Sequence, residues 1–276
     1  MFCRHNRLTA NCPICSRELQ AELTSRAPVH PSRPRTSSRS GAAPRARGGV
    51  VTKRLARAAD DGYRSPLAPG LRATADAERL ASALAAAAAR LEPPGPYPEV
   101  AAEPDLEEAT WLAFLLATHN EERPSWASGY APGRTAEAYR AWAERAGSQA
   151  DAFRGEPSWT PQRRFSRVFE RLALPGFARA ARFDLLTALG AAGRYDLEAG
   201  ELHLTAGEDA TTEAAKRLLV SGDKLLLERR ARDLAEAAEV PLAALDRALA
   251  LWGAPGDHAD LAAEAPAPIR AALKLR

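Results

Sequence analysis

Every cysteine of the chain lies within its first fifteen residues, together with a histidine. Cys12 and Cys15 have the two-residue gap that lets two thiolates of one short turn bind the same ion, and Cys3 and His5 lie just before them. Four such donors suit tetrahedral zinc, and a site with no open position is structural. We therefore expect one structural zinc ion on Cys3, His5, Cys12 and Cys15. The alternative is a redox Cys-x-x-Cys pair, although no strand precedes the motif.

A second group of residues that could bind a ligand surrounds the turn at Leu174-Pro175-Gly176. Apolar residues recur at helical spacing on both sides of it, and Pro-Gly must end the first helix. A glycine turn that opens a helix leaves backbone N–H groups unpaired, and these attract phosphate. The sequence thus predicts a helix-hairpin-helix whose turn and arginines bind phosphates: Gly176, Phe177, Ala178, Arg179, Arg182, Arg163, Arg164 and Arg167. The alternative is a packing unit with a solvated arginine face.

The elements that must position these residues are helices. Helical spacing, acidic first turns and terminating Pro or Gly residues predict helices over 76–91, 105–118, 134–145, 212–220, 223–238 and 241–252, besides the two of the hairpin. Only the segment 195–204, around Ala199-Gly200, indicates a small β-hairpin. We therefore expect a mainly α fold with one β-hairpin.

The helix predicted over 105–118 is apolar all round in its middle, which indicates a buried central helix. It ends at His119 and Asn120, whose imidazole and amide groups are suited to hydrogen bonds with the edge of an extruded base. A histidine with its hydrogen bonds satisfied inside the core is the alternative.

Charge and composition divide the chain into three parts. Residues 1–59 hold twelve basic and two acidic residues, a net charge of +10, which leaves 26 basic and 33 acidic residues in the remainder, a net charge of −7. We expect a zinc segment over 1–20, a disordered basic linker over 21–50 that is rich in Pro, Ser, Arg and Gly, and a helical domain over 51–276. No stretch is apolar enough to span a bilayer and no signal peptide is evident, so we expect a cytoplasmic protein.

The predicted hairpin resembles the DNA-binding hairpin of the helix-hairpin-helix DNA glycosylase superfamily, which has a second glycine where this chain has Ala178. The run 220–230 resembles the segment after that hairpin, where an aspartate at a helix start faces the extruded nucleotide. The resemblance implies that Asp223 stabilises a cationic sugar or activates a nucleophile. Asp184 is the alternative candidate for this carboxylate. Asp223 also fits an ordinary helix cap, which is the alternative to a catalytic role. Lyases of the superfamily carry a lysine where this chain has Ala180, which argues against lyase chemistry.

A closer resemblance is to the bacterial alpha-glutamyl/putrescinyl thymine pyrophosphorylase group. It rests on three parts of the sequence. The first is the start, Cys-x-His-Asn-Arg-Leu-Thr, and the second is the hairpin turn Leu-Pro-Gly-Phe together with residues 180–184. The third is the segment that begins with Gly222-Asp223-Lys224 and ends at residues 251–253. It implies a glycosylase-like helical domain that acts on a modified thymine extruded from DNA, where an amine displaces pyrophosphate from an activated 5-hydroxymethyl base. The protein would then be nucleoid-associated when bound to DNA. Two alternatives stay open: a monofunctional glycosylase that excises a modified base in repair or phage defence, and a non-enzymatic zinc-containing DNA-binding adaptor.

Overall fold

The computed structural model describes residues 58–204, 209–254 and 264–276. The chain divides into two units, Met1–Val51 and Thr52–Arg276, and all described residues belong to the second. The predicted zinc segment and basic linker therefore lie outside the described residues, and both stay predictions.

The described residues form eleven α-helices and one short 3-10 turn, which confirms the mainly helical fold. The helices are α1 (Thr74–Leu91), α2 (Pro98–Ala102), α3 (Leu106–Ala117), α4 (Arg134–Arg145), α5 (Gln149–Arg154), α6 (Pro161–Arg171), α7 (Arg179–Ala191), α8 (Ala210–Leu219), α9 (Lys224–Ala237), α10 (Leu242–Gly253) and α11 (Ala267–Ala272). The 3-10 turn spans Trp126–Ser128. The predicted hairpin helices are α6 and α7. The sequence did not predict α2, α5 or α11, whose five or six residues are too few to show a helical period. Among the described residues, none of the helices has the length and apolarity needed to cross a bilayer.

Side-chain caps fix where five of these helices begin. In each case the residue before the helix accepts a hydrogen bond from the backbone N–H three residues later, at 2.8–3.2 Å. These caps are Asp105, Ser148, Thr160, Asp209 and Asp223. Helices α4 and α7 follow Gly133 and Ala178, whose side chains provide no such cap, so a ligand at either start can accept hydrogen bonds from the first N–H groups.

Helix α3 is the buried centre of the domain, as its apolar sequence predicts. Trp111, Phe114 and Leu115 are almost fully enclosed. Phe114 stacks on Tyr139 of α4 with ring centroids 4.1 Å apart, and it meets the edge of Phe177 at 5.2 Å. Because Phe177 belongs to the turn between α6 and α7, this aromatic contact fixes the hairpin to the central helix.

The β-hairpin predicted over 195–204 is wrong, since these residues form no strand. The backbone N–H groups of Leu202 and Leu204 instead donate to the two carboxylate oxygens of Glu228 on α9, at 2.7 and 2.9 Å. Arg179 donates to the carbonyl of Leu202, and Arg164 donates to the carbonyl of Asp196 at 2.8 Å. Side chains thus satisfy the backbone groups that a partner strand would otherwise pair.

Candidate functional site

Two clefts contain half of the site residues predicted within the described part of the chain. The first, which we call the hairpin cleft, is a cavity of about 350 Å³ between the end of α3, the start of α4 and the hairpin turn. Its lining includes His119, Asn120, Arg134, Thr135, Gly176 and Ala178. The structure thus brings the predicted base-reading pair and the predicted phosphate-binding turn to one place.

His119 and Asn120 end helix α3 in a left-handed turn. His119 has a φ of 52°, and the N–H groups of the pair donate to the carbonyls of Leu116 and Leu115, the pattern of a helix C-terminal motif. The Asn120 amide donates to the Pro132 carbonyl at 3.2 Å and accepts from the backbone of the following loop at 3.1 Å. Asn120 therefore shapes the cleft, whereas the exposed imidazole of His119 is the better placed of the two to contact a ligand.

The hairpin turn is held tightly against helix α4. Gly176 has a φ of 77°, and a Cβ at this position would lie 2.5 Å from the Oγ1 atom of Thr135. Gly176 and Ala178 are exposed, but Phe177 is buried against Phe114. Phe177 thus anchors the turn in the core and does not face a ligand, which corrects its assignment to the phosphate contacts.

Arg179 also holds the fold and cannot contact phosphate. It is 5% exposed, it forms a buried ion pair with Asp246 of α10, and it lies 3.8 Å from the carboxylate of Asp209. Burial raises the pKa of the Asp246 carboxyl, and the Arg179 guanidinium opposes this shift. The sequence-based assignment of Arg179 is corrected for this reason: its charge is enclosed and already paired.

Two further arginines of the predicted phosphate site are engaged inside the protein. Arg182 donates to the Phe169 carbonyl at 3.2 Å and lies over the Phe169 ring at 4.4 Å, and burial lowers the pKa of its guanidinium. Arg164 donates to the carbonyls of Arg154 and Trp159 as well as to Asp196. The predicted set of five arginines therefore leaves only the pair at 163 and 167 exposed.

The exposed pair lies in the second cleft, which we call the arginine cleft. This cavity of about 480 Å³ lies between α6, the loop 200–203 and the start of α9, and its charged lining residues are Arg163, Arg167, Glu170, Glu201 and Lys224. Arg163 and Arg167 are four residues apart and share one face of α6, while Phe165 and Phe169 are buried on the other. Arg167 pairs with Glu170 at 3.1 Å, but both side chains are more than half exposed, so this pair is weak.

Trp159, which precedes α6, lies beneath two arginines of that helix, of which only Arg163 also lines the arginine cleft. The guanidinium groups of Arg163 and Arg171 are 5.9 and 5.3 Å from the centre of its ring. A Cβ on Gly155 would meet the same ring at 2.5 Å, so glycine is required where the indole packs. The side chain of Arg163 thus has the aromatic ring on one side and the arginine cleft on the other.

His203 lines the arginine cleft and was not predicted as a site residue. It is 9% exposed, stacks on Phe169 with ring centroids 4.3 Å apart, and its Nε2 atom has no hydrogen-bond partner among the described residues. Burial, followed by the charges of Arg179 and Lys224, lowers its pKa to about 4. It is therefore neutral at pH 7. The sequence signal is a single histidine three residues after Gly200, in the segment whose pattern predicts a β-hairpin.

The two candidate aspartates have different surroundings. Asp223 is exposed and its carboxylate caps α9 by accepting the Leu226 N–H at 2.8 Å, as the helix-cap alternative predicts. It immediately precedes Lys224 of the arginine cleft. Asp184 is half-buried, accepts a hydrogen bond from the Tyr97 hydroxyl and lines a small cavity of about 60 Å³. Burial and the nearby Asp184 charge raise the pKa of Tyr97, so this hydroxyl keeps its proton and donates.

No group of three or more histidine, cysteine, aspartate or glutamate residues in the described part of the chain is arranged to hold a metal ion. The predicted zinc ligands Cys3, His5, Cys12 and Cys15 lie outside that part.

Comparison with known families identifies one match. The family model described as "Alpha-glutamyl/putrescinyl thymine pyrophosphorylase clade 3" matches residues 125–255. This span contains both hairpin helices, the whole lining of the arginine cleft and Asp223, but not His119 or Asn120. No curated protein and no solved structure gives a match. The resemblance predicted from the sequence is confirmed over the matched residues.

Proposed function

We propose, from the premise that residues 125–255 of the chain belong to the alpha-glutamyl/putrescinyl thymine pyrophosphorylase group, that the protein is an enzyme acting on a modified thymine in DNA. The reaction we propose is displacement of pyrophosphate by an amine. The amine nitrogen forms a bond to the methylene carbon on C5 of the base, and the bond from that carbon to the pyrophosphate oxygen breaks. The electron pair leaves with pyrophosphate, and the nitrogen releases a proton.

The arginine cleft is the observation that carries this proposal. A departing pyrophosphate gains negative charge, and cations fixed beforehand at its position lower the barrier. The cleft offers Arg163, Arg167 and Lys224 from two different helices, against the two carboxylates of Glu170 and Glu201. This local excess of positive charge stands out because the chain outside its first 59 residues is acidic overall. Arginine is also suited to bidentate contacts with phosphate oxygens.

The hairpin cleft supports the second part of the proposal, that the backbone of DNA is bound there. Its volume falls within the range of about 300–1,000 Å³ that ligand pockets occupy. Phe114 and Ala117 give it an apolar lining, His119 offers an imidazole, and the uncapped starts of α4 and α7 offer backbone N–H groups to phosphates. Contacts of this kind bind the DNA backbone without reading its sequence.

The test uses duplex DNA in which thymine carries a pyrophosphorylated 5-hydroxymethyl group, incubated with the protein and a polyamine. We expect a new amine-bearing nucleoside by mass spectrometry and an equal amount of released pyrophosphate. Release of the free base would favour the glycosylase alternative. Binding to the DNA without any change to the base, across a panel of modified thymines and cytosines, would favour the adaptor.

A matched pair of double variants examines the arginine cleft itself. Changing Arg163 and Arg167 to Ala should lower turnover by at least about a hundredfold, the usual scale for losing a group that stabilises developing charge. The control changes Arg145 and Arg154 to Ala, two exposed arginines on α4 and α5. Equal turnover in both double variants would contradict the assignment of pyrophosphate to this cleft.

A further inference from the structure

Helix α9 has an unusual order of charges along its exposed side. The helix begins with Lys224, and Arg229 and Arg232 follow, whereas Asp233 and Glu236 lie in its second half; all five residues are exposed. The helix dipole favours the opposite order, with acids near the start and cations near the end. This order of charges therefore does not stabilise the helix itself.

The exposed charges in the middle of α9 do not pair with one another. Arg229 and Asp233 are four residues apart, as are Arg232 and Glu236, yet these four side chains form no ion pair within the described part of the chain. An acid that precedes a base is the better order for a pair at this spacing, and here the base comes first. Two cations and two carboxylates of α9 are thus available to a partner.

Apolar side chains lie at both ends of the same stripe. Leu225, in the first turn, is 80% exposed, and Val240, just after the helix, is only partly buried. Positions 225, 229, 232 and 236 follow one another at alternating spacings of four and three residues, which is the spacing of a seam between two packed helices. We call this surface the pairing face, and its residues are Leu225, Arg229, Arg232, Asp233, Glu236 and Val240.

The pairing face is complementary to a copy of itself that runs in the opposite direction. A two-fold axis between Arg232 and Asp233 places Arg232 opposite Asp233 of the second copy. The same axis places Arg229 opposite Glu236, and Leu225 opposite Val240. Each contact occurs twice, because a two-fold interface uses the same surface on both chains. A parallel arrangement would instead bring like charges together, so the charges also select the direction.

We propose that the partner of the pairing face is a second copy of the chain, and that the protein forms a two-fold dimer through antiparallel α9 helices. The 14 residues of α9 are about 21 Å long, so the interface is small. Exposed ion pairs are also weak one by one. We therefore expect a dissociation constant on the order of tens of micromolar and a monomeric chain at about 1 μM. The inference does not depend on the proposed chemistry.

The test measures sedimentation velocity of the full-length protein without DNA. We expect a monomer at about 1 μM and mainly a dimer at about 100 μM. Arg229→Glu places two carboxylates opposite each other at both ends of the helix pair, and Glu236→Arg places two cations there. Each change should raise the dissociation constant at least about tenfold, because like charges in an interface repel. Arg145→Glu, an equal change of charge at an exposed position of α4, is the control and should dimerise as the wild type does.

An equal mixture of the two single variants gives the sharpest comparison. In a mixed dimer the new glutamate at position 229 lies opposite the new arginine at position 236, and on the other side Arg229 lies opposite Glu236. We therefore expect the mixture to dimerise as the wild type does, although each variant alone is monomeric at the same total concentration. Recovery in the mixture also shows that both variants are folded.

Four results would overturn the dimer. They are a wild-type chain that stays monomeric at about 100 μM, single variants that dimerise unchanged, a mixture that stays monomeric, and an equal effect of Arg145→Glu. A monomeric wild-type chain whose DNA affinity falls with Arg229→Glu would assign the cations of the pairing face to the phosphates of a duplex instead.

Discussion

The buried pair of Arg179 with Asp246 ties helix α7 to helix α10 inside the core. Arg179→Ala leaves the Asp246 charge enclosed without its partner, and losses of this kind cost about 3–5 kcal/mol. We expect a large fall in the free energy of unfolding, measured by urea denaturation. Arg163→Ala, at an exposed position, should leave that free energy nearly unchanged. A stable Arg179→Ala protein that had lost only DNA affinity would return this arginine to the phosphate contacts.

Asp223 is the carboxylate we assign to the chemistry, on the resemblance and on its position next to Lys224. Asp223→Asn keeps an oxygen to cap α9 but removes the charge, so the melting temperature should stay constant while turnover falls by at least about a hundredfold. Asp184→Asn is the comparison variant and should turn over normally, with its effect confined to the contact with Tyr97. An inactive Asp184→Asn and an active Asp223→Asn would exchange the two assignments. If both variants were active, His119 would be tested next.

His203 should make the protein sensitive to mild acid. Its pKa is about 4 in the folded protein, below the ordinary value of 6.5, so the unfolded chain binds more protons between these two pH values. The contribution of His203 to stability is therefore complete above pH 6.5 and is lost as the pH falls towards 4. His203→Asn, which tolerates the left-handed backbone and does not titrate, should show a smaller loss of melting temperature between pH 7 and pH 5. Identical pH profiles would show that His203 is not the titrating group.

At the scale of elements, the carboxylate of Glu228 accepts the backbone hydrogen bonds that the loop 200–204 would otherwise make to a neighbouring strand. It is buried on α9 and accepts two N–H groups of that loop. Glu228→Ala leaves both groups enclosed and unpaired, at a cost of about 1–3 kcal/mol for each. We expect lower stability in chemical denaturation and faster hydrogen exchange at Leu202 and Leu204. Glu236→Ala is the control, because Glu236 is an exposed residue of the same helix; equal losses in the two variants would exclude a special role for Glu228.

Helix positions could be predicted from the sequence because their signals are local. Asp105 and Asp223 begin helices within one residue of the predicted starts, and both act as caps. The roles of the arginines could not be predicted in the same way. Arg179 is buried because of Asp246, which lies 67 residues later, and no local pattern reveals that partner. The arginine cleft could be predicted only in part. Helical spacing places Arg163 and Arg167 on the face of α6 opposite Phe165 and Phe169. The approach of His203 to that face depends on the tertiary fold, which local spacing does not show.

At the scale of the whole molecule, the amino-terminal cysteines stay a prediction of one zinc ion per chain. The full-length protein should contain about one equivalent of zinc by elemental analysis, and Cys12→Ser should lose it. Because a segment this short cannot fold by burial alone, metal binding would supply its folding energy. Zinc removal by a chelator should therefore leave the melting transition of the helical domain unchanged. Full zinc content in Cys12→Ser would exclude the proposed ligand set.

The position of Trp159 beneath Arg163 and Arg171 has an optical consequence. Indole emission responds to nearby charge, and these two cations are held over one ring, apart from Trp111, Trp126 and Trp142 around the aromatic centre of the domain. An anion that draws the Arg163 side chain into the arginine cleft must move a positive charge away from that ring. We therefore expect Trp159 to act as an intrinsic fluorescent reporter of the proposed pyrophosphate site, and a Trp159→Phe variant would isolate its signal from that of the other tryptophans.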